Sequence, residues 1–228
     1  MSINLNSYLP RILFTGFTVF FLFLCCSSAL AEDLTPVDIV QRLQEEYLKT
    51  SSFGADFKQV TQMEMTRRTR EANGSVKFKK PGMMRWDYQR PDIQVLACEG
   101  KTFVMYLEKD KQMIRTAAKD ALESDVTYSF FTGTGNLTRD FIAMHPDMDF
   151  GLSESQYLVR LRPRESHPQV DYLYFWIRKK DYLLERVRIV DHFGSITDLF
   201  FSNIVQNLDY NNDLFLFSPP AGVEVIDR

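Results

Sequence analysis

Few residues in this chain have a type and setting that would support chemistry. His145, His167 and His192 are far apart in the sequence, and His167 sits in a loop rich in proline and arginine. None stands in a metal-ligand spacing such as HExxH, so solvated or structural roles are expected. Cys98 lies inside an apolar strand pattern, where a cysteine usually packs and does not attack. Gly133-Thr134-Gly135 has the glycines of a phosphate loop but lacks a following Lys-Ser or Lys-Thr, and it joins two predicted helices. There is no GxSxG elbow, P-loop or GxGxxG. No acid, base and nucleophile converge, so the expectation is a protein that is not an enzyme and holds no metal or cofactor.

The informative stretch is Gly74–Tyr88, GSVKFKKPGMMRWDY. It predicts two short strands joined at Lys80-Pro81-Gly82. By the period of two, Val76 and Phe78 share a face on the first strand, as do Met84, Trp86 and Tyr88 on the second. Lys80 falls on the same face as Val76 and Phe78. A cation at the edge of an apolar surface needs a partner, because an unpaired buried ion is very costly. A wide aromatic face with one placed donor suggests a surface covered by something removable.

Around that hairpin, Thr35-Pro36-Val37-Asp38 is a helix start, with a capping threonine, a proline suited to the first turn and an acid that complements the dipole. Ile39, Val40, Leu43 and Tyr47 continue it at helical spacing to about Lys49. From Phe53 the period becomes two, and strands are expected near 53–66, 70–80, 83–89, 93–98 and 101–107, with a further one at Met113–Arg115. Asn73-Gly74, Pro81-Gly82 and Glu99-Gly100 mark turns or bulges. Such close spacing without helices means an antiparallel meander. Residues 110–145 break the pattern: Asp120–Phe131 and Leu137–Met144 read as two short helices carrying Phe130, Phe131, Leu137, Phe141 and Ile142. Strands resume at 156–162, 170–178, 182–191 and 194–204. Tyr172–Ile177 is apolar on both faces, which suggests a central strand. The aromatic surplus is in part simply the core of a β protein. A sheet curved around an inner apolar surface, closed by the first helix and the helical insertion, accounts for Lys80 and the insertion as well. That is a lipid-binding architecture.

Met1–Ala31 reads as a secretory signal peptide: Arg11, the apolar run Ile12–Cys26 and a small-x-small site at Ala29-Leu30-Ala31. The run is also long enough to stay as an uncleaved anchor. Lipidation at Cys25 or Cys26 fits poorly, since Leu24 and Cys25 are not the small residue expected before a lipidated cysteine. Cleavage would leave residues 32–228 as one domain, with 26 Lys+Arg against 30 Asp+Glu and a net charge of −4. That mild balance argues against nucleic acid. Cys98 would be the sole remaining cysteine, so no internal disulfide can form. No later stretch is apolar enough to span a membrane, so the mature protein is expected to be soluble.

Four segments, in order, resemble the LolA family of periplasmic outer-membrane lipoprotein carriers. Ser51-Ser52-Phe53-Gly54-Ala55-Asp56-Phe57-Lys58-Gln59 is similar to its S-S-F-x-A-x-F-x-Q. Gly74–Trp86 resembles its G-x-L-x-x-K/R-R-P-x-x-x-x-W strand pair, Asp92–Lys101 its P-D-x-x-x-L-x-x-D-G-K hairpin, and Phe217–Val223 its terminal F-x-P-P-x-G-V. The resemblance covers about residues 33–226. It implies an α+β fold, an unclosed (half) antiparallel β-barrel with helices covering its concave apolar face. It further implies a periplasmic, monomeric carrier that takes acylated lipoproteins from an inner-membrane ABC transporter to an outer-membrane receptor. The candidates for lining the cavity are Leu43, Phe57, Val76, Phe78, Met84, Trp86, Tyr88, Phe130, Phe131, Leu137 and Phe141. Lys80 stands where the family usually has an arginine that holds the lid, expected here at 120–144. Lysine lacks the guanidinium fork, and Arg85 or Arg90 would be the residues to compensate. Two other readings use the same fold: a sensor that binds a regulatory partner, and a carrier of a different lipid.

Overall fold

In the computed structural model, residues 34–123 and 126–228 are described. The leader expected at 1–31 lies outside them. The described residues open on helix α1 (Pro36–Lys49), set by a capping box: the Asp38 N–H donates to the Thr35 hydroxyl, and the Thr35 N–H donates back to the Asp38 carboxylate. Ile39, Val40, Leu43 and Tyr47 form its buried stripe. Six strands follow in a meander: β1 (Ser52–Met63), β2 (Arg68–Lys79), β3 (Met83–Arg90), β4 (Gln94–Glu99), β5 (Thr102–Leu107) and β6 (Gln112–Ala117). Next come α2 (Ala118–Glu123), α3 (Val126–Thr132), α4 (Leu137–Asp140) and β7 (Phe141–Met144). A second meander, β8 (Gln156–Pro163), β9 (Tyr172–Arg178), β10 (Leu184–Val190) and β11 (Ile196–Gln206), is followed by a 3-10 turn at Asn212–Phe215 and β12 (Glu224–Asp227).

The twelve strands of the described residues form one sheet in the order β12-β6-β5-β4-β3-β2-β1-β11-β10-β9-β8-β7. The two meanders join where β1 pairs with β11, and β12 and β7 are the edges, so the sheet is not closed. It is nonetheless curled. Tyr128 and Phe130 are two residues apart on α3, yet their rings lie 6.3 Å from Phe103 of β5 and 6.3 Å from Phe175 of β9. Those strands are seven places apart and would be about 34 Å apart in a flat sheet at ~4.8 Å per step. The fold is therefore α+β, a half-barrel with helices over its concave face.

The described residues of the helix predicted over Asp120–Phe131 are helical, as α2 and α3. Three expectations need correction. The helix predicted over Leu137–Met144 is a single turn that becomes strand β7, with Phe141 opposite Pro163. Leu137, Phe141 and Ile142 satisfy a helical spacing, but Pro146 opposes its continuation and the open edge of β8 offers backbone partners. The pairing is not wholly antiparallel, because β12 runs parallel to β6 along the barrel edge. Finally, β9 is apolar on both faces without being central: it lies third from an edge, and Phe150 covers its convex side, with rings 5.2 Å from Tyr174 and 5.4 Å from Trp176. The Asn73-Gly74 signal marks a bulge-type irregularity within β2. A side chain at Gly74 would place its Cβ 1.9 Å from the Asp87 carbonyl oxygen, so the close approach of β2 and β3 there requires glycine.

Candidate functional site

The concave face is built by register. Phe57 is opposite Gly74, Val76 opposite Trp86, Phe78 opposite Met84, and Trp86 opposite Leu96. With period two these side chains all point to one side. Leu43 arrives from α1, Phe130 and Phe131 from α3, Leu137 from α4 and Phe141 from β7. Ten of the eleven candidates are buried in one apolar cluster, and Tyr88 packs half-buried against it. Phe131 sits at its centre. Its ring is stacked on Phe78 at 4.9 Å and lies 4.7 Å from Phe53 and 5.5 Å from both Tyr47 and Phe201.

Lys80 is half-buried, and burial pulls its ammonium below the ordinary lysine range. Its Nζ donates to the carbonyl of Tyr47 in the last turn of α1, a favourable place for a cation. The expected polar partner in 120–144 is therefore replaced by α1. What reaches the helical insertion is the aliphatic stem: a Cβ at Gly133 would lie 3.0 Å from Lys80 Cδ and Cε. Gly133 has φ +79°, so glycine serves both the close approach and the left-handed backbone. The Gly82 N–H donates to the Thr132 carbonyl at 3.2 Å, and the Leu137 N–H donates to Gln44 Oε1 at 2.8 Å. Tyr47 is a hub, since its hydroxyl also accepts from the Leu184 N–H at 3.3 Å. Burial raises that hydroxyl's pKa well above the usual tyrosine value. Neither arginine named as a substitute takes the place of Lys80: Arg85 pairs with Asp87 and the Leu214 carbonyl, and Arg90 is exposed at the opposite end of β3.

At the far end of the half-barrel is a cavity of about 440 Å³. Trp86, Tyr88, Tyr128, Val170, Ile189 and Leu199 form its apolar wall, and Gln59, His167 and His192 lie among its polar lining. Tyr88 Oη donates to Gln59 Oε1 at 3.0 Å. His192 Nε2 donates to the His167 carbonyl at 2.7 Å. Phe193, at the β10–β11 turn, is 72% exposed beside this mouth. Trp86 Nε1 is buried and has no hydrogen-bond partner among the described residues. Cys98 is buried on the concave face and its thiol pKa is raised by burial, as packing predicts. Among the described residues no group of acidic, histidine and cysteine side chains is placed to hold a metal ion.

Several members of this site are not among the cavity residues expected from the sequence. Phe53 was visible, since it alternates with Ala55 and Phe57. Phe201, Val170, Ile189 and Leu199 depend on β11 pairing with β1 across most of the chain, and His167 and His192 meet only through the β8–β9 and β10–β11 turns.

The family described as outer membrane lipoprotein carrier protein LolA matches this chain over residues 48–218. The chain belongs to the LolA family. An outer-membrane lipoprotein carrier protein of Nitrosomonas europaea is 29% identical over 197 residues, which is 85% of this chain and 93% of that one. One of Methylococcus capsulatus is 28% identical over 204 residues, 90% of this chain and 93% of that one. Among solved structures, an uncharacterized conserved protein from Thermus thermophilus superposes with a TM-score of 0.50 at 15% identity, over 83% of this chain and 97% of that one. That last likeness is one of fold. The LolA-family motifs fall where the site is built: the first on β1, the second on the β2–β3 hairpin that carries Lys80 and Trp86.

Proposed function

We propose that this protein is a periplasmic carrier that shields the acyl chains of lipoproteins under α3 and against the concave face. It would take them from an inner-membrane ABC transporter to an outer-membrane receptor, working as a monomer without catalysis. The observation that carries the reading is the plug: Phe130 and Phe131 fill the concave face by ring packing, where acyl chains would give equivalent apolar contact. In water each exposed methylene costs about 0.8 kcal/mol, so three long chains cost on the order of tens of kcal/mol. The chains need more room than the cavity at the mouth, so α3 and its flanks act as a lid that moves aside.

The lid explains how a tight shield can also release. Acyl chains displace two buried phenylalanines, each worth about 1.5–3 kcal/mol of burial. Closing the lid restores that burial as the cargo leaves, which lowers net affinity and favours transfer. Lys80 sets the balance from the side, tying the β2–β3 turn to α1 through the Tyr47 carbonyl while its stem presses on Gly133. The membership of the family, and the relatives named as outer-membrane lipoprotein carriers, support lipoproteins as the cargo.

The test is release. Inner-membrane vesicles bearing the transporter and a triacylated lipoprotein are mixed with ATP and the purified protein. The reading expects a soluble one-to-one complex with the lipoprotein, and receptor-bearing outer-membrane vesicles should then empty it. Lipoprotein that stays in the pellet would sink the proposal.

A further inference from the structure

We propose that the Trp86 indole N–H is the donor that recognises the carbonyl oxygen at the head of an acyl chain, so that the site selects acyl esters and amides over plain hydrocarbon or ether lipids. This inference rests on the carrier reading and deepens it.

Indole nitrogen can only donate, and a buried donor without an acceptor is costly. Trp86 is 1% exposed and its Nε1 has no partner among the described residues. Its surroundings offer little. Val76 and Leu96 flank it across the strands, Met84 shares its face, and the rings of Phe57, Tyr128 and Phe78 stand 5.1, 5.6 and 6.0 Å away, each steeply inclined to it. An aromatic face is a weak acceptor at best. In the closed protein, phenylalanine would fill this place without an orphan polar group, so the N–H has no work there.

It gains work when α3 moves. Tyr128 belongs to α3, the segment that gives way to acyl chains, and Trp86 lines the cavity at the mouth. A chain with its methyl end toward Phe57 and Phe78 would carry its first carbon back toward the mouth. There the Tyr88–Gln59 hydrogen bond already marks the change from apolar to polar lining. A carbonyl at that depth is the one acceptor an acyl chain brings. An ether or alkane of equal length brings the same apolar surface and leaves Nε1 unpaired.

The chain has two tryptophans, Trp86 and Trp176, so a ¹⁵N-labelled sample gives two indole N–H signals. Trp86→Phe assigns them. The protein is titrated with dioctanoylglycerol and with its dioctyl ether analogue. The ester should bind about tenfold more tightly, the worth of one hydrogen bond, and should move the Trp86 indole proton downfield, whereas the ether should not. W86F should bind both lipids alike. Equal affinity of the native protein for the two lipids, equal movement of the Trp86 signal, or an ester preference retained in W86F overturns the proposal while leaving the carrier reading intact. Binding of neither lipid overturns both. The native titration decides alone if W86F does not fold.

Discussion

Replacing Phe131 with alanine separates a lid from a permanent core. Phe131 is 3% exposed and packed among Phe53, Phe78 and Phe201 of the sheet and Tyr47 of α1. Emptying such a site costs about 3–5 kcal/mol. If α3 were part of the cooperative core, that loss would lower the melting temperature by roughly 6–20 °C for a domain of this size. A fluorescent acyl probe would then bind unchanged or more weakly. If α3 is a lid that opens on its own, the same loss falls on the closed-to-open equilibrium. Apparent affinity is the intrinsic affinity scaled by the open fraction. About 3 kcal/mol therefore raises that fraction, and the probe affinity, by up to ~10². The assay is probe titration beside a thermal melt followed by far-UV circular dichroism. Tighter binding with a melt shifted by only a few degrees is expected. A large drop in melting temperature without tighter binding would refute the lid.

Other perturbations follow from the same geometry. Lys80→Leu removes a half-buried cation and its bond to the Tyr47 carbonyl. It should change the rates of lipoprotein loading and release by more than it changes the melt, and equal transfer rates in both proteins would defeat the tether. Gly74→Ala would drive a Cβ to 1.9 Å from the Asp87 carbonyl oxygen. An overpacking cost of about 3 kcal/mol should lower the melting temperature by ~6–12 °C; a melt within 2 °C of the parent, on the order of measurement scatter, would mean the strands part easily. Asp198, 4% exposed on β11, accepts from both Arg186 and Arg188. Asp198→Ala should destabilise by about 3 kcal/mol, at the low end for a broken pair because both arginines keep some solvent contact. Probe affinity should not change, since this cluster packs with Trp176 and Phe150; a parallel loss of binding would couple the two faces.

Much of this was legible because sheet periodicity survives in single strands. Val76, Phe78, Met84 and Trp86 declare their common face without any partner in view, and Thr35-Pro36 with Asp38 declares the start of α1. The LolA motifs added curvature and a covered concave face, which alternation alone leaves undetermined. The sequence was misleading where two structures satisfy one pattern. Leu137, Phe141 and Ile142 suit a helix turn or a buried strand, and the free edge of β8 decided between them. Lys80 could be placed on the apolar face, but its acceptor is a backbone carbonyl of α1, and carbonyls leave no trace in residue identity. The wall of the cavity drawn from β10 and β11 was out of reach for a related reason: the β1–β11 pairing joins residues far apart in the chain, as Phe53 with Gln206.

Native mass spectrometry of the protein isolated from the cells that make it decides whether acylated lipoproteins travel in the concave site. A one-to-one complex with a triacylated lipoprotein, lost on mixing with receptor-bearing outer-membrane vesicles, is expected. A different bound lipid, or empty protein co-purifying with a single regulatory partner, would overturn the carrier reading.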